Sequence, residues 1–470
     1  MHSIRRTLTL FLGLIAAPAC AQQRSPAATR AAEIVELINL NSREAARAYV
    51  ERNYAEGFRA VAPMDRHLGI LAMMYEQSRG LKVERVTEPE PGRAQVLARR
   101  ELPDDLLEIG VEVEPQPPHR ISGILFRPAQ APAGPAAPAA RTDEERVRSL
   151  DAYVRRLADA DAFSGVVLLA RNGQPLFASA YGQADREGRR ANTLETAFNL
   201  ASVNKMITAV AIAQLVEAGK LSFSDPLSRF LPGFPNPRAA REIRIEHLLT
   251  HTAGLGSYLG PRFSAARAGT VDEMMRFATD TSTAFAPGTR WDYSNTGFLV
   301  LGKVIEKVTG QSYFDYVRDQ VYVPAGMRST GAPDKETRSG IAIGYTREGD
   351  RYTSNQPELP FRGGPAGGGY ATAGDLMRFA EALRTGKLVS PAMVRVLTTP
   401  KPEVGSPEYG YGFTVEGARV GHSGGFPGVS NNVDIFMDSG YTAIVLSNYS
   451  RSGMPIVERM RALVGTEAPR

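Results

Sequence analysis

The sequence is short of the residue types whose chemistry is easiest to name. It holds one cysteine, Cys20, one tryptophan, Trp291, and six histidines in 470 residues. A single cysteine excludes an intrachain disulfide and any Cys-rich metal framework. Only His247 and His251 stand four apart, as two ligands on one helix face would. No acidic or cysteine residue completes the pair at helical spacing beyond Glu246, which points elsewhere, so both histidines read as structural. No metal and no cofactor is expected. Charge of one sign is scarce too. The net charge is +5, two of it from Arg5 and Arg6, too little to argue for nucleic acid. The apolar run Leu8–Ala17 is about half the ~20 residues that span a bilayer, so no stable membrane span is expected there.

What is present is an ordinary globular balance, 43% hydrophobic and 22% charged, in a chain too long for one core. Residues 1–21 read as a signal peptide: Arg5 and Arg6, then Leu8–Ala17, then the small-x-small site Ala19-Cys20-Ala21. Cleavage after Ala21 fits better than lipidation at Cys20, because Ala17 stands where a leucine is usual. A periplasmic or secreted protein follows from this reading. Residues 129–142 contain the tract QAPAGPAAPAA, a Pro/Ala linker stiffened towards polyproline II. It separates a small part, 26–128, from a large one, 143–467.

The small part begins with a helical stripe, Ala32, Ile34, Val35, Leu37 and Ile38. Asn41 or Ser42 can cap a second helix through Val50, and a third pattern runs near Leu68 to Gln77. The period then changes to strands at Leu81–Val86, Ala94–Ala98 and Leu106–Val113. A small α+β domain is expected, similar to an NTF2-like roll, with a recognition or spacer role. In the large part Thr142 and Glu145 have capping-box spacing ahead of Val147, Leu150, Val154 and Leu157. Phe163–Ala170 and Gln174–Tyr181 flank Asn172-Gly173, a hairpin signal. Four more strand patterns come near the end, at Gly412–Val415, Ala418–His422, Val429–Phe436 and Thr442–Asn448, before a last helix from Met454. The middle, 200–390, is mostly helical. One antiparallel sheet built from distant segments is the α+β arrangement this implies.

Three short motifs carry chemistry. Ser202-Val203-Asn204-Lys205 opens an almost wholly apolar helix that ends at Gly219. A serine there is most often a cap. Lys205 argues otherwise: three residues on, it shares a face with Ser202 in a setting too apolar for an ammonium, which turns a lysine into a base. Tyr293-Ser294-Asn295 precedes a second apolar helix. Its plain reading is a packed tyrosine and a capping asparagine. Its functional reading makes Tyr293 a proton shuttle and Asn295 a donor to substrate or the partner that orients the lysine. The third, Gly421-His422-Ser423-Gly424-Gly425, has the letters of a nucleophile elbow. No histidine follows it to complete a triad, and Phe426-Pro427-Gly428 breaks the helix an elbow needs. The Gly363–Gly369 cluster lacks a Lys-Ser/Thr ending, so it reads as a mobile loop near the site rather than a phosphate loop.

Taken in order, Ser202–Lys205, Tyr293–Asn295 and His422–Gly424 resemble the Ser-x-x-Lys, Tyr-x-Asn and His/Lys-x-Gly motifs of the serine β-lactamase-related family. That family includes class C β-lactamases, D,D-peptidases and related esterases. The flanks agree: Leu248–Leu255 reads LLTHTAGL, Pro324–Met327 reads PAGM, and Gly367–Asp375 reads GGGYATAGD. The resemblance implies a β-lactamase/transpeptidase-like fold over 143–467, an antiparallel sheet flanked by helices plus a helical subdomain. It implies a small-molecule or peptide acyl substrate and a covalent acyl-enzyme on Ser202, with Lys205 and Tyr293 moving the proton. The backbone amides of Ser202 and Gly425 would hold the oxyanion. His422 and Ser423, with Gly424, would line the sheet edge and meet a substrate carboxylate. The sequence departs from the family where His422 replaces the lysine usual in β-lactamases and Asn204 a common threonine. A neutral histidine anchors a carboxylate poorly, which favours an ester or D-amino-acid peptide or amide over a β-lactam. Two rivals stand beside this reading. One is a penicillin-responsive sensor that acylates without turnover. The other is an idle scaffold, which the presence of nucleophile, base and shuttle together disfavours.

Overall fold

The computed structural model describes residues 24–102, 105–129, 142–279, 281–337, 339–348 and 351–465. Residues 1–21, expected to be a signal peptide and holding Cys20, and the tract at 130–141 lie outside the described residues. The N-terminal unit runs α1 (Pro26–Leu40), α2 (Arg43–Asn53), α3 (Glu56–Ala60), α4 (Met64–Ser78), β1 (Leu81–Glu90), β2 (Arg93–Arg100), β3 (Leu106–Val113) and β4 (Ile121–Ala129). Ser25 and Ser42 cap α1 and α2 by accepting from the Ala28 and Ala45 amides, and Asn41 ends α1 in the left-handed region. The strands form an antiparallel meander in sequence order. Strand β4 escaped the sequence reading because Gly123 and Pro128 interrupt its alternation. Ala31, Ile34, Val35 and Ile38 of α1 share one core with the inward side chains Val96, Ala98, Ile109 and Val111.

The C-terminal unit opens with α5 (Asp143–Asp159), whose Thr142–Glu145 capping box forms at both ends. Arg146 rather than Val147 takes the first buried position of α5, with its Nε donating to the Leu463 carbonyl at 3.0 Å. Strands β5 (Gly165–Arg171) and β6 (Gln174–Tyr181) meet at Asn172 and Gly173, with φ of 49° and 72°, as a tight hairpin of right-handed twist requires. The central sheet has six antiparallel strands. Its order is Thr414–Glu416, Arg419–Phe426, Val429–Phe436, Tyr441–Ser447, β5 and β6.

Each face of that sheet is covered. Val167, Leu169, Ala443 and Val445 point to Leu150, Val154 and Leu157 of α5 and to the helix Met454–Val464. Val166, Leu168, Ile444 and Leu446 point the other way, into the larger core that holds α6 (Asn204–Glu217). Strands covered twice read as unbroken apolar runs, which is why their sequence patterns stand out. Helix α6 buries 11 of its 14 residues. Among them, the side chains of Met206, Ile207, Val210, Ile212 and Leu215 each contribute roughly 1.5–3 kcal/mol. Gly412, at φ +79°, leans on α6 so closely that a Cβ there would sit 2.4 Å from that of Ala209. No helix among the described residues is long and apolar enough to cross a membrane.

Candidate active site

The chain enters α6 through a tight bend. Phe198–Asn199 pairs with Tyr370–Ala371, and the Asn199 side chain accepts from the Ala201 amide at 2.9 Å. Ala201 then takes φ +45°, unusual for a residue with a Cβ, and a 3-10 turn, Ala201–Val203, leads into the helix. Ser202 makes no capping bond. Its Oγ instead accepts from the Tyr293 hydroxyl at 2.8 Å and lies 3.2 Å from Lys205 Nζ. The bend turns the serine away from the helix backbone and towards these two groups.

Tyr293 is placed by the helix that follows it, Asn295–Thr309. Ser294, not Asn295, is the cap: its Oγ accepts from the Gly297 amide and donates to the Gly256 carbonyl, both at 2.9 Å. Asn295 is therefore free to turn inward. Its Oδ1 accepts from Lys205 at 2.9 Å, while its Nδ2 donates to Ser257 Oγ at 3.2 Å. The Ala366 carbonyl is a further acceptor for Lys205. None of these partners is charged. Nζ also lies 4.8 Å from the centre of the Tyr293 ring and 5.4 Å from that of Phe298. Burial without a counter-ion holds the Lys205 pKa well below the ordinary lysine value. Burial also pushes Tyr293 up to about 12, against a smaller opposing effect of its bond to Ser202. Desolvation thus favours the amine form of Lys205 and the phenol form of Tyr293.

The Gly363–Gly369 segment is a pinned wall rather than the mobile loop expected. Gly364 and Gly367 exchange backbone bonds, the Gly368 amide donates to the Ala201 carbonyl, and the Gly369 carbonyl accepts from Leu200. Three residues of α6 hold it from below: Asn204 donates to the Gly364 carbonyl, Thr208 to that of Pro365 and Lys205 to that of Ala366. Asn204 thus has a positional role, completed by its 3.1 Å bond to Tyr313.

His422 requires a correction. Expected at the rim as a contact for substrate carboxylate, it is 4% exposed, with Nδ1 against the Ser423 carbonyl and Nε2 2.9 Å from the Tyr409 hydroxyl. Burial, and Lys205 nearby, lower its pKa to about 3, so it is neutral. Ser423 is exposed and does not line the cavity beside Ser202. Gly424 faces the bend, where a Cβ would stand 2.3 Å from the Leu200 carbonyl. Of that motif only Gly425 joins Ser202 on the cavity wall.

The cavity measures about 750 Å³. Ser202, Tyr293 and Asn295 line it together with Tyr258, Phe263, Leu359 and Phe426. Arg362 is the one cation among the described lining residues, and its guanidinium already bonds the Ala332 and Gly269 carbonyls and stacks on Phe314. His247 and His251 do not face a common ion. Each Nδ1 accepts a backbone amide, from Arg244 and Ser294 respectively, and no metal-binding cluster occurs among the described residues. The sequence reading missed the Ala366 carbonyl, which as backbone has no residue signature. It missed Tyr409 as well, because nothing local ties that side chain to His422.

A family model described as Beta-lactamase matches residues 150–465. The chain belongs to the β-lactamase family. It is a serine hydrolase of β-lactamase-related type, with the penicillin-binding fold. A penicillin-binding protein of Bacillus subtilis is 32% identical to this family member over 332 residues, 65% of this chain and 72% of the relative. The esterase EstB of Burkholderia gladioli is 34% identical over 273 residues, 50% of this chain and 69% of its own length. The crystal structure of a penicillin-binding protein from Bacillus halodurans superposes with a TM-score of 0.60 at 31% identity, covering 66% of this chain and 98% of that one.

Proposed function

We propose that this chain is an exported serine hydrolase that cleaves small uncharged esters, or D-amino-acid peptides or amides, through an acyl-enzyme on Ser202. The observation that carries the reading is one hydroxyl, Ser202 Oγ, held between the Lys205 amino group and the Tyr293 phenol at the wall of an apolar cavity. The proton inventory supports it. A neutral Lys205 has two hydrogens, and Asn295 Oδ1 and the Ala366 carbonyl accept both, which leaves the lone pair for the Ser202 proton. Tyr293 donates to the same oxygen, so the serine hydrogen points towards Nζ.

Attack of Oγ on the substrate carbonyl then passes that proton to Lys205, making an ammonium as the oxyanion forms. The amides of Ser202 and Gly425 are the donors proposed for the oxyanion. When the tetrahedral species collapses, the leaving alcohol or amine takes a proton from Tyr293, which Lys205 restores. Water repeats the sequence in reverse to free the acid. A buried, neutral His422 and an engaged Arg362 offer little to a carboxylate, which favours esters over β-lactams. The relatives named for penicillin binding and for esterase activity are compatible with either substrate.

The test is turnover of a chromogenic acetyl ester and a chromogenic cephalosporin, wild type beside Ser202→Ala. Ester turnover that falls to background in Ser202→Ala is the expected result. A labelled penicillin that stays bound to Ser202 while neither substrate turns over would replace the enzyme by the sensor reading. Equal activity in both proteins would remove Ser202 as nucleophile.

A further inference from the structure

We infer that His251 is a positioning residue for Tyr293, clamping both peptide groups that flank the phenol. The inference rests on the proposed role of Tyr293. His251 is fully buried and lies on a different segment from Ser202, Lys205, Tyr293 and Ala366. Its carbonyl accepts from the Asp292 amide at 2.9 Å, and its Nδ1 accepts from the Ser294 amide at 3.0 Å. One residue therefore fixes the backbone on either side of Tyr293. Its ring also lies against the Tyr293 ring, with centroids 4.3 Å apart and planes tilted by 32°.

Two details show that the fit is specific. His251 sits at φ +61°, in the left-handed region that residues with a Cβ seldom occupy. That backbone aims the carbonyl at Asp292 while the side chain turns to Ser294. Because Nδ1 accepts an N–H, the ring proton is on Nε2, and that atom is buried with no partner among the described residues. A packing residue could be any apolar ring. A neutral imidazole with an uncompensated donor is kept where its acceptor nitrogen is needed. Desolvation, together with Lys205 and His422 nearby, holds the ring in that neutral form. The chemistry of Ser202 depends on a 2.8 Å bond from Tyr293, and displacing a reacting group by about 1 Å costs on the order of 10²-fold in rate.

The experiment compares the full chain with His251→Phe, which keeps a ring but has no acceptor for the Ser294 amide. Its partner is His251→Asn, which tolerates the left-handed backbone and keeps an acceptor. Each is made with and without Tyr293→Phe, and kcat and KM for the ester are measured alongside thermal unfolding. His251→Phe should lower kcat about 10- to 100-fold with KM within about twofold, and His251→Asn should recover part of the loss. In the Tyr293→Phe background either change should add less than about twofold, since there is no phenol left to place. If His251→Phe does not fold, the same cycle is read from His251→Asn. Full additivity with Tyr293→Phe, or an unchanged kcat in a folded variant, overturns the inference. Loss of the Ser202 assignment in the earlier test is a separate outcome, because that test involves neither His251 nor Tyr293.

Discussion

Among the described residues Lys205 meets only neutral acceptors, and burial favours its amine form, so its loss should be felt in chemistry rather than in substrate affinity. Lys205→Met is expected to lower ester kcat by about 10²–10⁴ with little change in KM, and Tyr293→Phe by a similar range. The pH profile follows from the same groups. The base form of Lys205 exists above its depressed pKa, so kcat/KM should rise with pH through a limb well below the ordinary lysine value. It should fall again only towards pH 12, where Tyr293 loses its proton. A rising limb at the ordinary lysine position would exclude Lys205 as the neutral base. His422 adds a stability effect. Its folded pKa of about 3 lies below the ordinary 6.5, so the unfolded chain binds the extra proton between those values. Its contribution is complete above 6.5 and is lost as pH falls towards 3. Between pH 6.5 and 5 that loss is about 2 kcal/mol. Urea midpoints at the two pH values measure it, with His422→Gln as the control that should reduce the difference by about that amount; the part that remains includes His247 and His251, which burial shifts in the same direction.

Among the elements, the strand Arg419–Phe426 is where two adjacent glycines should behave in opposite ways. Gly424 has a backbone carbonyl where its Cβ would be, whereas a Cβ on Gly425 meets nothing within 4 Å. Gly424→Ala should push the strand off the Ala201–Val203 turn, destabilising by about 1–3 kcal/mol and cutting ester turnover. Gly425→Ala should keep its melting temperature and its activity within a few-fold, since its proposed contribution is a backbone amide. Thermal unfolding and ester turnover of both variants decide the matter, and the reverse ranking would mean the strand is seated differently. Elements like this were legible where one signal dominated. The capping box of α5, the Asn172-Gly173 turn and the all-apolar α6 needed only local residues. Strand β4 did not show because Gly123 and Pro128 break its alternation, and the pinned Gly363–Gly369 wall did not because its backbone bonds go to Leu200, Ala201 and α6, far back along the chain. At the site, Ser202, Lys205 and Tyr293 come together as their motifs suggested. His422 could not be oriented from sequence, since its burial depends on Tyr409, thirteen residues earlier on another segment.

At the scale of the whole molecule, the two units keep separate cores but touch through polar groups. Arg79 donates to the Asp161 carbonyl at 3.1 Å, and Arg451 reaches the Gly69 carbonyl at 3.2 Å and Glu76 at 3.8 Å. Half-exposed contacts of this kind contribute roughly 0–1 kcal/mol each. Arg451→Ala is therefore expected to leave ester kcat unchanged and to lower stability by less than about 1 kcal/mol. A large loss of activity would instead make the N-terminal unit part of the catalytic arrangement.

The pairing of Tyr441–Ser447 with β5 has a consequence in time. The strand that opens the C-terminal sheet waits for a partner about 270 residues downstream. As the chain leaves the ribosome, Ser202 and Lys205 are made early, yet the sheet face that packs in the same core as α6 is continuous only once Tyr441–Ser447 can join β5 to Val429–Phe436. The growing polypeptide thus carries its nucleophile through most of its synthesis before that sheet can close.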